Sequence, residues 1–320
     1  MKKPALYTLM FHGVVEELPE YSVYPGTLDC QLRKKDFEKA IRYCNKHFKI
    51  LRQSEIGSYL DGTASQDGVL ITFDDALKNV YETALPVLQQ YNAPATVFIT
   101  SGWTNSQVTP AIFALEYAVY KNLPATVTVT KNEYSFSEQV KTAAELPGMF
   151  HRLWMSLLKT ETVPLLLKDI HININGQTLD HYRDDNKDCW FPASWDMLKK
   201  MQQTGLIEFG AHGKTHAPWS WLSEEELHAE LQENNAKIKE YLAIDVRTCS
   251  YPHGLSNKMT HTVTQQYFDY AFSNIPVCDV PMNMSRYNVP HQHPNSMPFV
   301  IKHAKLGAIL RRAGSITKLY

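Results

Sequence analysis

The sequence predicts an α/β fold built on a parallel sheet, either open or closed into a barrel. Short β-type runs alternate with helical patterns along much of the chain, which is the order that parallel strands with crossover helices require. The residues with chemical potential, His12-Gly13, Asp74-Asp75, Ser101-Gly102, His212 and Pro252-His253-Gly254, follow the apolar runs rather than precede them. In a parallel α/β barrel this gathers them at the carboxyl ends of the strands. A chain of 320 residues with 44% hydrophobic content can also bury the large core such a fold needs.

Leu6 to Phe11 reads as the first strand. Two lysines stand ahead of it, but the apolar run is short, interrupted by Thr8, and ends at His12 instead of a small-residue cleavage site. Lys35 to His47 carries a helical pattern, Val69 to Phe73 a buried strand, Leu77 to Tyr91 a second helix and Ala95 to Thr100 a third strand. Residues 104–190 break the rhythm. There Thr126 to Thr130, then Lys131-Asn132, then Glu133 to Phe136 reads as a hairpin, and Met149 to Leu158 as an amphipathic helix carrying Phe150, Leu153, Trp154 and Leu157. We read this stretch as an insertion over one rim of a single domain spanning 1–320. The rhythm resumes with a helix from Trp195 to Gln203 that Thr204-Gly205 can stop, and a strand from Ile207 to Gly210. A helix from Glu224 to Leu242 follows, opened by the capping box Ser223 to Glu226, and then a strand from Arg247 to Tyr251.

The formal net charge is −1 with both signs interspersed, so no basic face points to nucleic acid and no polybasic run to an anionic membrane. Five cysteines, Cys30, Cys44, Cys189, Cys249 and Cys278, are scattered without a Cys-x-x-Cys pair. Neither a disulfide framework nor a zinc ribbon is indicated, and a reducing, cytoplasmic location is expected. No stretch approaches the roughly 18 apolar residues of a membrane span.

The chemistry centres on Asp74-Asp75. Adjacent carboxylates just past a buried strand are expensive unless something cationic neutralises them. His212 and His216, four apart and just past a second apolar run, offer two imidazoles that one turn of backbone can aim at one ion. Alone, Asp-Asp after a strand also reads as a turn and helix N-cap, and His-x-x-x-His as a pair of surface histidines. Together, at two strand ends, one Asp and two His make a three-ligand site with room for water, the layout of a catalytic metal.

Ile71 to Asp75, Ala211 to His216 and Tyr251 to Gly254 resemble the first three motifs of the polysaccharide deacetylases, the NodB-homology or carbohydrate esterase family four. Phe11-His12-Gly13-Val14 is similar to the Tyr-His signature of the branch found in surface-polysaccharide and lipopolysaccharide gene clusters. Ala84 to Leu88, Ala93 to Phe98, and Ser194-Trp195 leading through Gly205 to Glu208 match that branch too. The resemblance runs from about residue 5 to 275. It implies a distorted (β/α) barrel of seven or eight strands that removes an N-acetyl group from an amino sugar with one divalent metal, zinc above all, with cobalt or nickel as alternatives. Under it, Asp74 is the general base, Asp75 the metal ligand with His212 and His216, and the backbone N–H of His253 the oxyanion donor. His12 is the candidate acid for the leaving amine; equally, it could cap a buried strand. Trp219 and Tyr251 are candidates for stacking on sugar rings, whereas Trp195, opening a helix, reads as core.

Three residues depart from the family pattern. Ala76 stands where glycine is usual, which constrains the turn. Gly213 replaces a Ser or Thr, removing a hydroxyl that would brace the histidine loop, so a lower metal affinity is expected. Ser250 stands where many relatives carry an arginine that pairs with the base; Arg286, in the C-terminal segment, reads first as an unpaired surface arginine and second as a substitute. His291 and His293 read as a polar loop between prolines, or as a reserve acid. The expected partner is an N-acetylated sugar or glycan. A deformylase or other linear-amide hydrolase on the same barrel, and an inactive glycan-binding protein, are the alternatives. The complete Asp, Asp, His, His set argues against the last.

Overall fold

The computed structural model describes residues 4–17, 31–105, 111–131, 133–158, 171–182, 190–273, 283–285 and 287–288. His291, His293, Arg286, Cys30, Cys189 and Cys278 lie outside the described residues.

The strands are β1 Leu6–Phe11, β2 Gly13–Val15, β3 Gln31–Arg33, β4 Lys49–Leu51, β5 Gly68–Phe73, β6 Ala95–Ile99, β7 Ala125–Lys131, β8 Tyr134–Val140, β9 His171–Ile174, β10 Gln177–Thr178, β11 Ile207–Ala211, β12 Thr248–Ser250, β13 Tyr270–Ser273, β14 Asn283–Ser285 and β15 Tyr287–Asn288. Nine of them form one parallel sheet in the order β14-β13-β12-β11-β6-β5-β1-β15, with β4 beside β5. The sheet curls on itself: β14 pairs with β13 at one end while β15, one residue further along, pairs with β1 at the other. This curled parallel sheet is the barrel-like architecture that the family resemblance implies, with nine described strands, β4 among them, where seven or eight were expected. Every residue of β5 and β6 is buried, as in strands covered on both faces.

Among the described residues, eight α-helices pack around and beyond the sheet: α1 Lys34–His47, α2 Ile56–Leu60, α3 Leu85–Gln90, α4 Ala111–Lys121, α5 Leu146–Leu158, α6 Trp195–Gln203, α7 Glu224–Leu242 and α8 Lys258–Thr264. The turn leading into α3, Val80–Ala84, is π-helical, an extra residue per turn of the kind often found near functional sites. Ser223 opens α7 as the capping box requires, its hydroxyl accepting from the Glu226 N–H while the Glu226 carboxylate accepts from the Ser223 N–H. Thr204 ends α6, and Gly205 takes the left-handed conformation that stops it.

The hairpin and helix read between residues 104 and 190 are present as β7–β8 and α5. The hairpin joins β9 and β10 in a four-stranded antiparallel sheet, and α5 packs with it in a separate core around Val127, Val129, Met149, Leu153 and Ile174. Tyr120 packs against both this core and that of the barrel.

Candidate metal centre

All the strands that carry the motifs run parallel, so the residues just past their carboxyl ends meet on one rim. His12 follows β1, Asp74-Asp75 follow β5, Ser101 to Trp103 follow β6, His212 follows β11 and Tyr251 to Gly254 follow β12.

Asp75, His212 and His216 are all buried, and one ligand atom from each lies within 4.8 Å of the others. Asp75 Oδ1 stands 3.1 Å from His216 Nε2 and 3.6 Å from His212 Nε2. These spacings straddle the separation of about 3.4 Å that two ligands roughly 2.1 Å from a tetrahedral ion would have. Oδ1 is buried without a hydrogen-bond partner among the described residues, as is His216 Nδ1. A buried carboxylate oxygen left in this way is costly, and a cation between it and the two imidazoles removes the cost. The donor set therefore fits a divalent metal.

His212 is prepared for that role. Its Nδ1 lies 2.8 Å from the Ser250 carbonyl, which can only accept, so the proton sits on Nδ1 and the Nε2 lone pair faces the carboxylates. Burial lowers its pKa to about 4, against the pull of Asp74 and Asp75, so at neutral pH the imidazole is already in its metal-binding form. Burial pushes the Asp75 carboxyl up. The imidazoles of His216, His12 and His212 outweigh that and hold it well below the usual carboxylate range.

Asp74 sits beside this group. Its Oδ2 accepts from the Ser250 hydroxyl at 3.3 Å and lies 3.8 Å from His212 Nε2. Ser250 thus orients a histidine through its carbonyl and Asp74 through its hydroxyl, at the position where the family resemblance implies an arginine. His12 lies close enough for its imidazole to act on the charge of Asp75. The His253 ring packs 4.6 Å from that of His216, is hydrogen-bonded to the His216 backbone, and has its pKa held well below the ordinary value chiefly by burial.

Four of the eight non-glycine residues with positive φ among the described residues are in this site: Asp75 (71°), Ala76 (54°), His216 (64°) and His253 (58°). Each left-handed residue costs on the order of 1 kcal/mol or more, and such strain gathers where function requires it. Ala76, buried and left-handed, carries that cost where a glycine would not.

Two expected substrate contacts are corrected. Trp219 and Tyr251 are each 0% exposed, packed edge to face at 5.5 Å, with the Tyr251 hydroxyl 3.1 Å from Thr264 Oγ1. Neither ring offers a face to a sugar; both form the wall behind the histidine loop. Trp195 is buried and stacks on Tyr241, as a core residue does. The aromatic ring found at the centre is instead Trp103, partly exposed and 4.7 Å from the ring of His216.

The polysaccharide deacetylase family model matches residues 61–146 and 158–269, more than half of the chain and all three motifs. The chain belongs to the polysaccharide deacetylase family. A curated member, the poly-beta-1,6-N-acetyl-D-glucosamine N-deacetylase of Staphylococcus aureus, is 32% identical over 96 residues, 29% of this chain and 30% of that protein. The match thus spans less than a third of that relative's length. Among solved structures, the Streptococcus pyogenes deacetylase PplD in complex with acetate aligns with a TM-score of 0.60 at 13% identity, covering 93% of this chain and 99% of that one. IcaB from Ammonifex degensii aligns with a TM-score of 0.56 at 19% identity, covering 94% and 97%. At these identities the two structures show that the deacetylase fold is shared.

Proposed function

We propose that the protein is a divalent-metal-dependent N-deacetylase that hydrolyses the acetamido group of an N-acetylated amino sugar in a glycan or glycoconjugate precursor. The observation that carries this is a second carboxylate, Asp74, held beside the buried Asp75, His212 and His216 set but outside it. A metal site that served only to hold the fold would have no use for it.

Asp75, His212 and His216 would hold the ion, and one carboxylate with two imidazoles suits zinc, with cobalt or nickel also accommodated. When bound, a divalent ion supplies Lewis acidity to the attacking water and to the acetyl oxygen. Asp74, oriented by the Ser250 hydroxyl, takes the proton of the water as it attacks the acetyl carbon. The backbone N–H of His253, a residue whose left-handed φ is 58°, donates to the developing oxyanion. His12 donates the proton that lets the sugar amine leave, while acetate departs as the other product.

The relative in Staphylococcus aureus bears the name of a poly-N-acetylglucosamine deacetylase, and a polymer or oligomer of N-acetylglucosamine is the first substrate to try. The test is acetate release from N-acetylglucosamine oligomers and from N-acetylated sugar nucleotides, with zinc, cobalt or nickel added and with a chelator as control. Chelator-sensitive acetate release is expected. Metal-loaded protein that frees no acetate from any N-acetylated sugar overturns the proposal.

A further inference from the structure

We infer that Glu230, on α7, is a positioning residue of the metal centre: its buried carboxylate holds the loop that carries His212 and His216 and does the work of the hydroxyl that position 213 lacks. The inference rests on the metal-centre reading above.

The buried face of α7 is formed by Leu227, Glu230, Leu231, Asn234, Ile238 and Leu242. A carboxylate on such a face is costly unless it is fully engaged. Glu230 is 7% exposed and its Oε1 accepts from the Thr215 N–H at 2.6 Å and the Thr215 hydroxyl at 2.9 Å. The Lys214 backbone also donates to it. Both residues lie between the two histidines, so one carboxylate gathers the backbone of the whole loop.

Gly213 fits this arrangement and no larger residue does. It has φ of +82°, and a Cβ there would lie 2.7 Å from Glu230 Oε1 and 3.0 Å from Trp219 Nε1. Any side chain at position 213 would start against the carboxylate that the helix supplies. The loss of a brace at position 213 and the presence of an acid at position 230 are therefore one structural fact.

The same helix face ties down the neighbouring loop. Asn234, one turn further on, accepts from the Ser101 N–H at 3.1 Å, which also reaches the Gly213 carbonyl at 3.1 Å. The Gly102 N–H donates to the Lys214 carbonyl at 2.8 Å. His216 is held in a left-handed conformation that it would not keep unaided, and the Glu230 contacts fall on the residue just before it.

A buried acid that only completed the fold would change stability and leave the folded site's metal affinity alone. Glu230→Ala and the isosteric Glu230→Gln separate the two roles, Gln serving if Ala fails to fold. Two measurements are made on each: amide hydrogen exchange across 211–217 in metal-free protein, and cobalt(II) affinity by titration of its visible absorption. We expect exchange at Lys214 and Thr215 to quicken at least tenfold, and cobalt affinity to drop about ten- to a hundredfold, the usual effect of removing a group that orients a ligand. Loop protection and cobalt affinity equal to wild type in both variants overturn the inference. Wild-type protein that binds no cobalt, while the variants still lose loop protection, overturns the metal-centre reading instead and leaves Glu230 as the brace of the loop.

Discussion

Asp74 and Asp75 are neighbours in the chain, yet their surroundings differ, and the proposed function gives them different work. Asp75 faces two imidazole nitrogens and accepts nothing at Oδ1, whereas Asp74 faces the Ser250 hydroxyl. A three-ligand site loses its chelation when any arm goes. Asp75→Ala, His212→Ala and His216→Ala should each reduce bound divalent metal from about one per chain to near zero by elemental analysis; metal retained in all three would remove the site. Asp74→Asn should keep the metal and lower turnover by about two orders of magnitude or more, because an amide fills the same space but takes no proton. Loss of metal in that variant would mean that the two aspartates have exchanged roles. Both motifs were legible in the sequence because they are short, local and of unusual composition. The substrate role expected for Trp219 and Tyr251 was not borne out, because proximity to a motif in sequence does not say which way a ring points.

At the scale of elements, the loops after β6 and β11 act as one unit joined by backbone hydrogen bonds. Gly102 is required where they touch: a Cβ there would stand 2.3 Å from the Lys214 carbonyl oxygen. Because the obstacle is backbone, it cannot swing aside as a side chain would. Gly102→Ala should destabilise the protein by about 2 kcal/mol or more and weaken metal binding, read by denaturant unfolding and metal titration together. Wild-type values for both would show that the loops part without cost. The strands β1, β5, β6 and β11 and the helices α1, α6 and α7 were readable from apolar periodicity and caps. β4, β13 and α8 were not, being three to seven residues long with mixed composition. Their pairing or packing partners, and not their own pattern, make them regular. Glu230 left one trace, a charged residue in an apolar stripe at helical spacing, whose meaning depended on the loop it meets.

For the whole molecule, burying a set of titratable groups at one rim makes stability depend on pH. His212 has a pKa of about 4 in the folded, metal-free protein against an ordinary 6.5. Between those values the unfolded chain holds a proton that the folded one does not. The contribution is therefore fully present above about pH 6.5 and is lost as the pH falls toward 4, at up to about 1.4 kcal/mol per unit. His253, also lowered by burial, acts in the same direction. Metal-free protein should accordingly show a lower unfolding midpoint in denaturant at pH 5 than at pH 7.5, and bound metal should steepen the difference because it competes with the same protons. Equal midpoints at the two pH values would show that the imidazoles are not desolvated.

The sequence by itself determined the parallel α/β architecture, because its signals are periodic and local: buried β-branched runs, capped amphipathic helices and chemical residues at strand ends. It also determined the membership of Asp75, His212 and His216 in one site, since parallel strands present their carboxyl ends on one rim whatever the details of packing. Only the tertiary structure decided which groups hold those ligands in place. Ser250 reaches His212 and Asp74 from a strand 38 and 176 residues away, and Glu230 grips the histidine loop from a helix. Such contacts join residues far apart in sequence, and the free energy of each depends on exclusion from water, a property of the folded whole rather than of any segment.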